Sequence, residues 1–248
     1  MSGSLDGKTV LITGAARRIG ASIARRMHAE DARVAIHYRG SAEAATALCD
    51  QLNDQRANSA IALQADLNDL ERLPELIANT VDWSGGLDVL INNASSFYPT
   101  PLGEISTSDW DDLVGTNLRA PLFLAQAGLE ALQKSQGVII NIVDIHAQRP
   151  LKNHAVYGAA KAGLAMLTRS LAKDLAPEVR VNGVAPGAIL WPENDIDEGS
   201  KEAILQQIPA GRIGDPDDIA GCVLYLVRDA NYVTGQIIAV DGGRSIGW

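Results

Sequence analysis

A tyrosine and a lysine four residues apart, Tyr157 and Lys161, are the first candidates for chemistry in this sequence. Residues at i and i+4 share one face of a helix, so the phenol and the ammonium would lie side by side. A nearby cation favours the phenolate, lowers the tyrosine pKa and makes the phenol a better proton donor near neutral pH. Asp144 follows an apolar run at residues 138–143, which predicts a strand that ends facing the tyrosine. We interpret the three side chains as a proton-transfer group, although the Tyr-x-x-x-Lys spacing alone also occurs in purely structural helices.

Composition indicates a globular protein and excludes several classes of partner. Hydrophobic residues are 46% and charged residues 21% of the 248 residues, which is typical of a folded domain with a sizeable core. The net charge of −9 disfavours a nucleic-acid backbone or an anionic membrane as a partner. Cys49 and Cys222 lack CxxC spacing and a neighbouring histidine, so we expect no metal site and no disulfide. Neither a signal peptide nor a membrane-spanning run is present, which predicts a soluble cytoplasmic protein.

A glycine-rich turn near the start of the chain has the context of a dinucleotide-binding site. Residues 8–13 predict a buried strand, and residues 21–30 have helical periodicity. Between them, Gly14 allows a tight turn and Gly20 allows close packing of the helix on the strand. The first helical turn would offer free N–H groups to a pyrophosphate, which favours nucleotide binding over an ordinary strand–helix turn. The expected contacts are Gly14, Arg17, Arg18, Ile19 and Gly20.

The end of the second predicted strand, at residues 33–37, indicates which nicotinamide cofactor is bound. Enzymes that use NAD usually have an Asp or Glu there for the ribose 2′-hydroxyl, and this chain has none. Arg17, Arg39 and Ser41 can instead bind a 2′-phosphate through charge-assisted hydrogen bonds, which favours NADPH. The alternative is that Arg39 is a solvated surface residue. The cofactor contacts expected at this point are His37, Tyr38, Arg39 and Ser41.

Strand and helix patterns alternate along the whole chain. Further strands are predicted at residues 59–64, 87–91, 137–143, 179–184 and 236–240, and further helices at 42–54, 69–83, 107–133, 153–176 and 215–228. This alternation predicts an α/β fold, with a doubly wound parallel sheet and helices on both faces. Ligands bind beyond the carboxyl ends of such strands. Asp66 would either contact adenine there or cap the next helix. The other contacts expected along this edge are Leu67, Asn93, Ala94, Ser95, Pro186 and Gly187.

Two loops at the same edge are predicted to bind the substrate. Residues 95–101 contain two hydroxyls, two aromatic rings and two prolines, which is typical of a stiff loop. Phe97 would either stack on a flat ligand or fill a gap beneath the loop. The segment at 187–209, with an acidic run at 193–198, is interpreted as a lid. Asn117 would either hydrogen-bond a carbonyl or a water, or lie on a solvated helix face.

Together these residues resemble the short-chain dehydrogenase/reductase superfamily over essentially the whole chain. The matching motifs are Thr13-Gly14, Asn92-Asn93-Ala94, Asn117, Tyr157-x-x-x-Lys161, Pro186-Gly187 and Val240-Asp241-Gly242-Gly243. The resemblance implies a single-domain Rossmann-type fold over residues 1–248 and a ribose-binding, tyrosine-tuning role for Lys161. It also implies a homotetramer in which the helices at 107–133 and 153–176 pair across an interface. The terminal Trp248 is a large apolar group that would lie in such an interface.

Two departures narrow the resemblance to the pteridine reductases, the NADPH-dependent enzymes that reduce biopterin and folate. Arg18 replaces the usual second glycine, and Asp144 replaces the usual catalytic serine thirteen residues before Tyr157. The bacterial dihydromonapterin reductases are related. A serine hydroxyl donates a hydrogen bond to a ketone oxygen, whereas an ionised aspartate only accepts, which suits the N–H groups of a pterin. The implied catalytic residues are Asp144, Tyr157, Lys161 and Asn117. The implied substrate contacts are Arg18, Ser95, Phe97, Asp144, Tyr157, Leu190 and Trp191.

Two other functions stay open. The first is a carbonyl reductase acting on ketoacyl thioesters or sugars, which Asp144 in the serine position argues against. The second is a nucleotide sensor without turnover, which the intact Tyr157 and Lys161 argue against. The loop at residues 188–191 lacks the hydroxyl that some relatives carry, and Trp191 adds bulk, so biopterin, monapterin and folate all stay candidate substrates.

Overall fold

A seven-stranded parallel sheet forms the centre of this computed structural model, which describes residues 5–191 and 197–246. The strands are β1 (Thr9–Ile12), β2 (Arg33–Tyr38), β3 (Ala60–Gln64), β4 (Val89–Asn92), β5 (Val138–Ile142), β6 (Arg180–Pro186) and β7 (Ile237–Val240). Their order is β3-β2-β1-β4-β5-β6-β7, and every neighbouring pair is parallel. The order changes direction between β1 and β4, so a crevice for ligands is expected beyond the carboxyl ends of these two strands.

Helices cover both faces of the sheet because alternate residues of its strands point to opposite sides. Val10 of β1 packs in one core cluster with Ile23, whereas its neighbour Leu11 packs in another cluster with Leu124, and all four are fully buried. The helices are α1 (Arg18–Ala29), α2 (Ala42–Gln55), α3 (Leu73–Ser84), α4 (Thr107–Val114), α5 (Ala120–Ala127), α6 (Leu129–Ser135), α7 (Ala155–Asp174), α8 (Glu198–Leu205) and α9 (Pro216–Arg228). The predicted doubly wound α/β architecture is confirmed, and each predicted strand agrees with the structure to within two residues at either end.

The predicted helix at residues 107–133 is wrong as one continuous element. A π-helical turn, Gly115–Arg119, separates α4 from α5, and Gly128 separates α5 from α6. The chain at Gly115 packs so tightly that an added Cβ would lie 2.0 Å from the side-chain oxygen of Asn68. Hydrophobic periodicity carries no sign of this break, because the contact that accompanies it is made with a loop far away in the sequence.

Asp66 does not cap the helix that follows it, so that alternative is wrong. The predicted helix at 69–83 begins as a 3-10 turn, Leu70–Arg72, and Asp69 accepts a hydrogen bond from the Glu71 N–H at its start. The carboxylate of Asp66 accepts from the Asn68 N–H instead. This bond shapes the loop after β3 and leaves Asp66 beside the crevice.

The segment predicted as a lid contains regular structure. Helix α8 lies within it, and a single β-bridge joins Ile189 to Gly214. Most of the acidic run at 193–198, which contributed to the lid prediction, lies outside the described residues, as does Trp248.

Neither a membrane-spanning helix nor a metal-binding cluster occurs in the described ranges. None of the helices in residues 5–191 and 197–246 is long and apolar enough to cross a membrane. The same residues contain no cluster of three or more His, Cys, Asp or Glu side chains that could hold a metal ion. Cys49 and Cys222 are both free thiols.

Candidate active site

The glycine-rich turn between β1 and α1 is held against the end of β4. Gly14 has a positive φ of 61°, which favours glycine. The Asn93 amide donates to the carbonyl oxygens of Thr13 and Gly14, at 2.9 and 3.0 Å. A Cβ added at Gly20 would lie 2.4 Å from the Gly14 oxygen, so the helix can approach the turn this closely only with glycine. The turn is therefore a rigid cradle, with the first N–H groups of α1 at its edge.

His37 supports the turn from the neighbouring strand. Its Nδ1 accepts a hydrogen bond from the Gly14 N–H at 3.1 Å, and its Nε2 lies 3.1 Å from the carbonyl oxygen of Ala65. These partners assign the neutral tautomer with the proton on Nε2. Burial lowers the pKa of His37 to about 4, against the opposing effects of the Ala65 hydrogen bond and the Asp66 charge. His37 thus lines the crevice as a neutral support, and both of its ring nitrogens are used within the protein.

A cavity of about 370 Å³ lies above this turn. Most of the predicted cofactor contacts line it, but Tyr38, Ser41, Lys161, Pro186 and Gly187 do not. Tyr38 packs against the core, Ser41 precedes α2, and Gly187 lines the second cavity described below. The first turn of α1 carries no acidic residue, and arginines surround its start, so this cavity fits the phosphates of an anionic dinucleotide. The lining residues are Gly14, Arg17, Arg18, Ile19, Gly20, His37, Arg39, Asp66, Leu67, Asn93, Ala94, Ser95, Ser96 and Thr116.

Asp144, Tyr157 and Lys161 meet where β5 ends beside α7. The Tyr157 hydroxyl donates to Oδ2 of Asp144 at 2.7 Å, and Oδ1 accepts from the His146 N–H at 2.7 Å. Lys161 is buried, and its Nζ donates to the Ile142 carbonyl at 2.9 Å and lies 5.7 Å from the centre of the Tyr157 ring. Asp144 therefore binds the phenol and also caps a short 3-10 helix, Ile145–Ala147.

The pKa values of this group differ from the sequence-based expectation. Burial raises the pKa of Tyr157 above its ordinary value, the Asp144 carboxylate raises it further, and an interaction with the Ser95 side chain opposes the shift. The predicted lowering of the Tyr157 pKa by Lys161 is wrong, because burial of the phenol and the Asp144 carboxylate both raise it. Burial also lowers the pKa of Lys161 to about 8, with Asp144 opposing that shift. Tyr157 is thus a neutral phenol whose proton is directed at Asp144.

Asn117 organises the loop that carries Phe97. It lies in the π-helical turn, is buried, and donates to the carbonyl oxygens of Ser96 and Leu113, both at 2.9 Å. Its side-chain oxygen accepts from the Ser95 hydroxyl at 2.7 Å. The alternative that Asn117 lies on a solvated face is wrong. π-helical turns often occur at functional sites, and this one directs an amide at the predicted substrate loop.

A second cavity, of about 680 Å³, opens beside the first. Phe97 stands at its edge with 55% of its surface exposed, so the alternative that it fills a gap beneath the loop is wrong. Its ring stacks on His154 at 4.7 Å between centroids and meets Tyr157 edge-on at 4.8 Å. Arg18 lines both cavities, which makes them adjoining parts of one cleft. The lining residues are Arg18, Phe97, Asp144, His146, Leu151, Tyr157, Gly187, Ala188, Ile189, Leu190, Trp191, Ile204 and Arg244.

Six residues of this second cavity were not among the predicted site residues: His146, Leu151, Ala188, Ile189, Ile204 and Arg244. His146 follows Asp144 by two positions, and Arg244 directly follows the motif that ends at Gly243, so both had a usable signal. Ala188, Ile189 and Ile204 lie in the segment predicted as a lid. Leu151 is an ordinary apolar residue, and only the folded chain brings it to the cleft. Conversely, Ser95 was predicted to contact substrate but lines the first cavity.

Comparison with known proteins gives consistent results. A family model described as Enoyl-(Acyl carrier protein) reductase matches residues 14–245. The 3-oxoacyl-[acyl-carrier-protein] reductase FabG of Staphylococcus aureus is 38% identical, over 95% of this chain and 97% of that protein. Pteridine reductase 1 of Leishmania tarentolae is also 38% identical, over 99% of both chains. A blue fluorescent protein from a metagenomic library, solved in complex with NADPH, superposes with a TM-score of 0.91 at 34% identity and covers 97% of this chain and 99% of its own.

These matches span nearly the whole chain and agree with the seven-stranded parallel sheet. The two relatives at 38% identity are named for different substrates, so the matches establish the family and not the substrate. The chain belongs to the short-chain dehydrogenase/reductase superfamily of oxidoreductases.

Proposed function

We propose that this chain is an NADPH-dependent pteridine reductase. It would reduce a dihydropterin, such as dihydrobiopterin or dihydromonapterin, to the tetrahydro form, with biopterin and dihydrofolate as further substrates. The observation that carries the proposal is the carboxylate of Asp144, which accepts the Tyr157 hydroxyl proton inside the substrate cleft. The cofactor supplies the hydride, and the residues of the chain supply binding, orientation and protons.

The charge of Asp144 favours a pterin over a ketone. Reduction of a ketone places growing negative charge on the carbonyl oxygen, which an ionised carboxylate repels. A pterin instead presents N–H donors that a carboxylate can accept and a ring nitrogen that must gain a proton. Tyr157 is the proton donor in this arrangement, and Asp144 orients it while holding the substrate.

The walls of the second cavity are consistent with a flat aromatic ligand. His154 and Tyr157 restrain the Phe97 ring from two sides, while more than half of its surface stays exposed to the cleft. A restrained ring loses little entropy when a ligand stacks on it. The resemblance assigns polar contacts with substrate and cofactor to Arg18, which lines both cavities, and to Ser95, which lines the first.

NADPH is proposed as the cofactor because the cleft carries arginines and β2 ends without an acidic residue. Arg39→Asp should remove a charge-assisted bond worth about 1.5–3 kcal/mol and weaken NADPH binding roughly ten-fold to more than a hundred-fold. NADH binding should change little. The matched control is Arg72→Asp, an equal charge change at an exposed position away from the cavity. An unchanged NADPH/NADH preference in Arg39→Asp would contradict the assignment.

A second candidate is a 3-oxoacyl-thioester reductase, since a relative of that name is as similar to this chain as the pteridine reductase. Asp144 in place of a hydroxyl donor argues against it. A non-catalytic nucleotide sensor is disfavoured by the intact Tyr157–Lys161 pair. NADPH oxidation measured in parallel with dihydrobiopterin, dihydrofolate and an acetoacetyl thioester separates the three functions. Turnover of the thioester alone would overturn the proposal, and no turnover of any substrate would favour the sensor.

We also propose a homotetramer in which α4, α5 and α7 contribute to an interface. Trp110 on α4 is 51% exposed and Met166 on α7 is 60% exposed, and Leu122 on α5 is exposed as well. Large apolar side chains exposed on neighbouring helices are typical of a surface that another protein covers. A single domain over residues 1–248 and a cytoplasmic location stay predictions.

A further inference from the structure

Arg39, the proposed ligand of the 2′-phosphate, is already paired with a carboxylate in this structure. Its Nη1 lies 3.5 Å from Oδ1 of Asp112 on α4, and the two side chains are 60% and 29% exposed. Arg39 lines the cofactor cavity, whereas Asp112 is not part of the lining. Arg39 therefore contacts a protein anion and also borders the cavity.

Neighbouring side chains contact Asp112 independently of Arg39. The Asn68 amide donates to Oδ1 of Asp112 at 3.3 Å and lies 3.4 Å from the Thr116 hydroxyl. Tyr98, which packs against the core beneath α4, lies close enough that Asp112 helps burial to raise its pKa. The carboxylate is thus anchored by the loop after β3 and by the substrate loop, while Arg39 is the more exposed partner.

We propose that Asp112 is a specificity-determining positioning residue that acts through Arg39. It is the counter-ion of Arg39 in the cofactor-free protein, and it competes with the 2′-phosphate for the guanidinium. This inference rests on the proposed function, because it requires Arg39 to bind that phosphate. A dinucleotide without the phosphate does not need the guanidinium, so Asp112 weakens binding of NADPH selectively and leaves binding of NADH unchanged.

The size of the expected change in NADPH affinity follows from the exposure of the Arg39–Asp112 ion pair. Exposed ion pairs contribute little to stability, so a phosphate can displace the carboxylate at small cost. Releasing Arg39 from such a pair corresponds to about a two- to five-fold gain in affinity for the phosphorylated cofactor. The gain should decrease at higher ionic strength, because salt screens interactions between exposed charges.

Direct binding measurements test this inference. Dissociation constants of NADPH and NADH are measured by fluorescence titration on the cofactor-free, full-length protein. Asp112→Asn should tighten NADPH binding about two- to five-fold and leave NADH binding unchanged. Asp112→Glu should stay close to wild type. The matched control is Asp111→Asn, an equal charge change at the neighbouring exposed position on α4, which should have a smaller effect than Asp112→Asn.

A double variant distinguishes competition for Arg39 from a general effect of charge. In an Arg39→Gln background, Asp112→Asn should give no further gain in NADPH affinity. If Arg39→Gln by itself leaves the NADPH/NADH affinity ratio unchanged, the phosphate assignment fails, and this inference fails with it. If Arg39→Gln weakens NADPH binding but Asp112→Asn leaves the ratio unchanged or weakens NADPH binding, only the competition is overturned. A purely structural role for Asp112 would lower the melting temperature and weaken binding of both cofactors equally.

Discussion

At the scale of single residues, the Asp144 carboxylate makes one hydrogen bond that supports the local structure and one that serves the proposed chemistry. One carboxylate oxygen caps the short helix after β5, and the other accepts the Tyr157 proton. The bond to Tyr157 is the reason to favour a pterin as substrate. The structure shows that a variant of Asp144 changes both bonds, so the two roles must be separated by the choice of substitution.

Asp144→Ala is expected to reduce dihydropterin turnover by about 10²–10⁴-fold, the usual contribution of positioned acid catalysis, with little change in NADPH affinity. Asp144→Asn keeps an oxygen that can accept from the His146 N–H, so it should lose activity with less loss of stability. Asp144→Ser restores a hydroxyl donor and should leave pterin reduction low while a trace of ketone reduction appears. Single-turnover hydride transfer and the melting temperature are measured together. Near-normal transfer with a lowered melting temperature would show that Asp144 is only structural.

Lys161 predicts a pH dependence in which activity and stability move in opposite directions. Burial lowers its pKa in the folded state to about 8, below the ordinary value of 10.5. The unfolded chain binds more protons between these values, so the free energy of unfolding should rise as the pH increases through this window. Meanwhile kcat/KM should fall above about pH 8, because the neutral amine loses the cationic role proposed for it. Lys161→Met should remove the rise of the free energy of unfolding with pH. A kcat/KM of the wild-type enzyme that stays level to pH 9.5 would contradict the predicted loss of activity.

At the scale of elements, two helical glycines provide a matched pair. Gly20 in α1 lies against the turn that it follows, and an added Cβ would lie 2.4 Å from the Gly14 oxygen. Gly221 in α9 has no atom within 4 Å of such a Cβ. Gly221→Ala should stabilise the protein by about 0.5–1 kcal/mol through helix propensity. Gly20→Ala should instead destabilise it by about 1–3 kcal/mol and weaken NADPH binding. Urea denaturation measures the free energy of unfolding of both variants. A gain in stability for Gly20→Ala would disprove the close approach of Gly20 to the Gly14 oxygen.

The helices themselves show what local patterns can and cannot predict. Helix α9 has a capping box built on Asp215, and its predicted start agrees with the structure to within one residue. The stretch at 107–133 has comparable periodicity but is interrupted by the π-helical turn that holds Asn117. The partners of Asn117 include a carbonyl in the Phe97 loop, twenty-one residues earlier in the chain. A pattern within one helix carries no information about such a contact.

At the scale of the whole molecule, light scattering at micromolar concentration should give the mass of four chains of 26.3 kDa each. Replacing an exposed apolar side chain of the proposed interface with a charge should split the tetramer, so Met166→Lys is expected to give smaller species. Leu102→Lys is the control, since Leu102 is 93% exposed on a loop and not on one of these helices. A monomer mass for the wild-type protein would end the proposal.

The sequence by itself determined the alternation of strands and helices, the parallel sheet, the glycine-rich turn and most of the side chains at the carboxyl edge of the sheet. Each of these depends on local periodicity, on the freedom of one glycine, or on the rule that parallel strands end at a common edge. Only the tertiary structure decided the raised pKa of Tyr157, the neutral state of His37 and the pairing of Arg39 with Asp112. These properties depend on burial and on distances of a few ångströms between groups far apart in the chain, and no spacing of residue types records them.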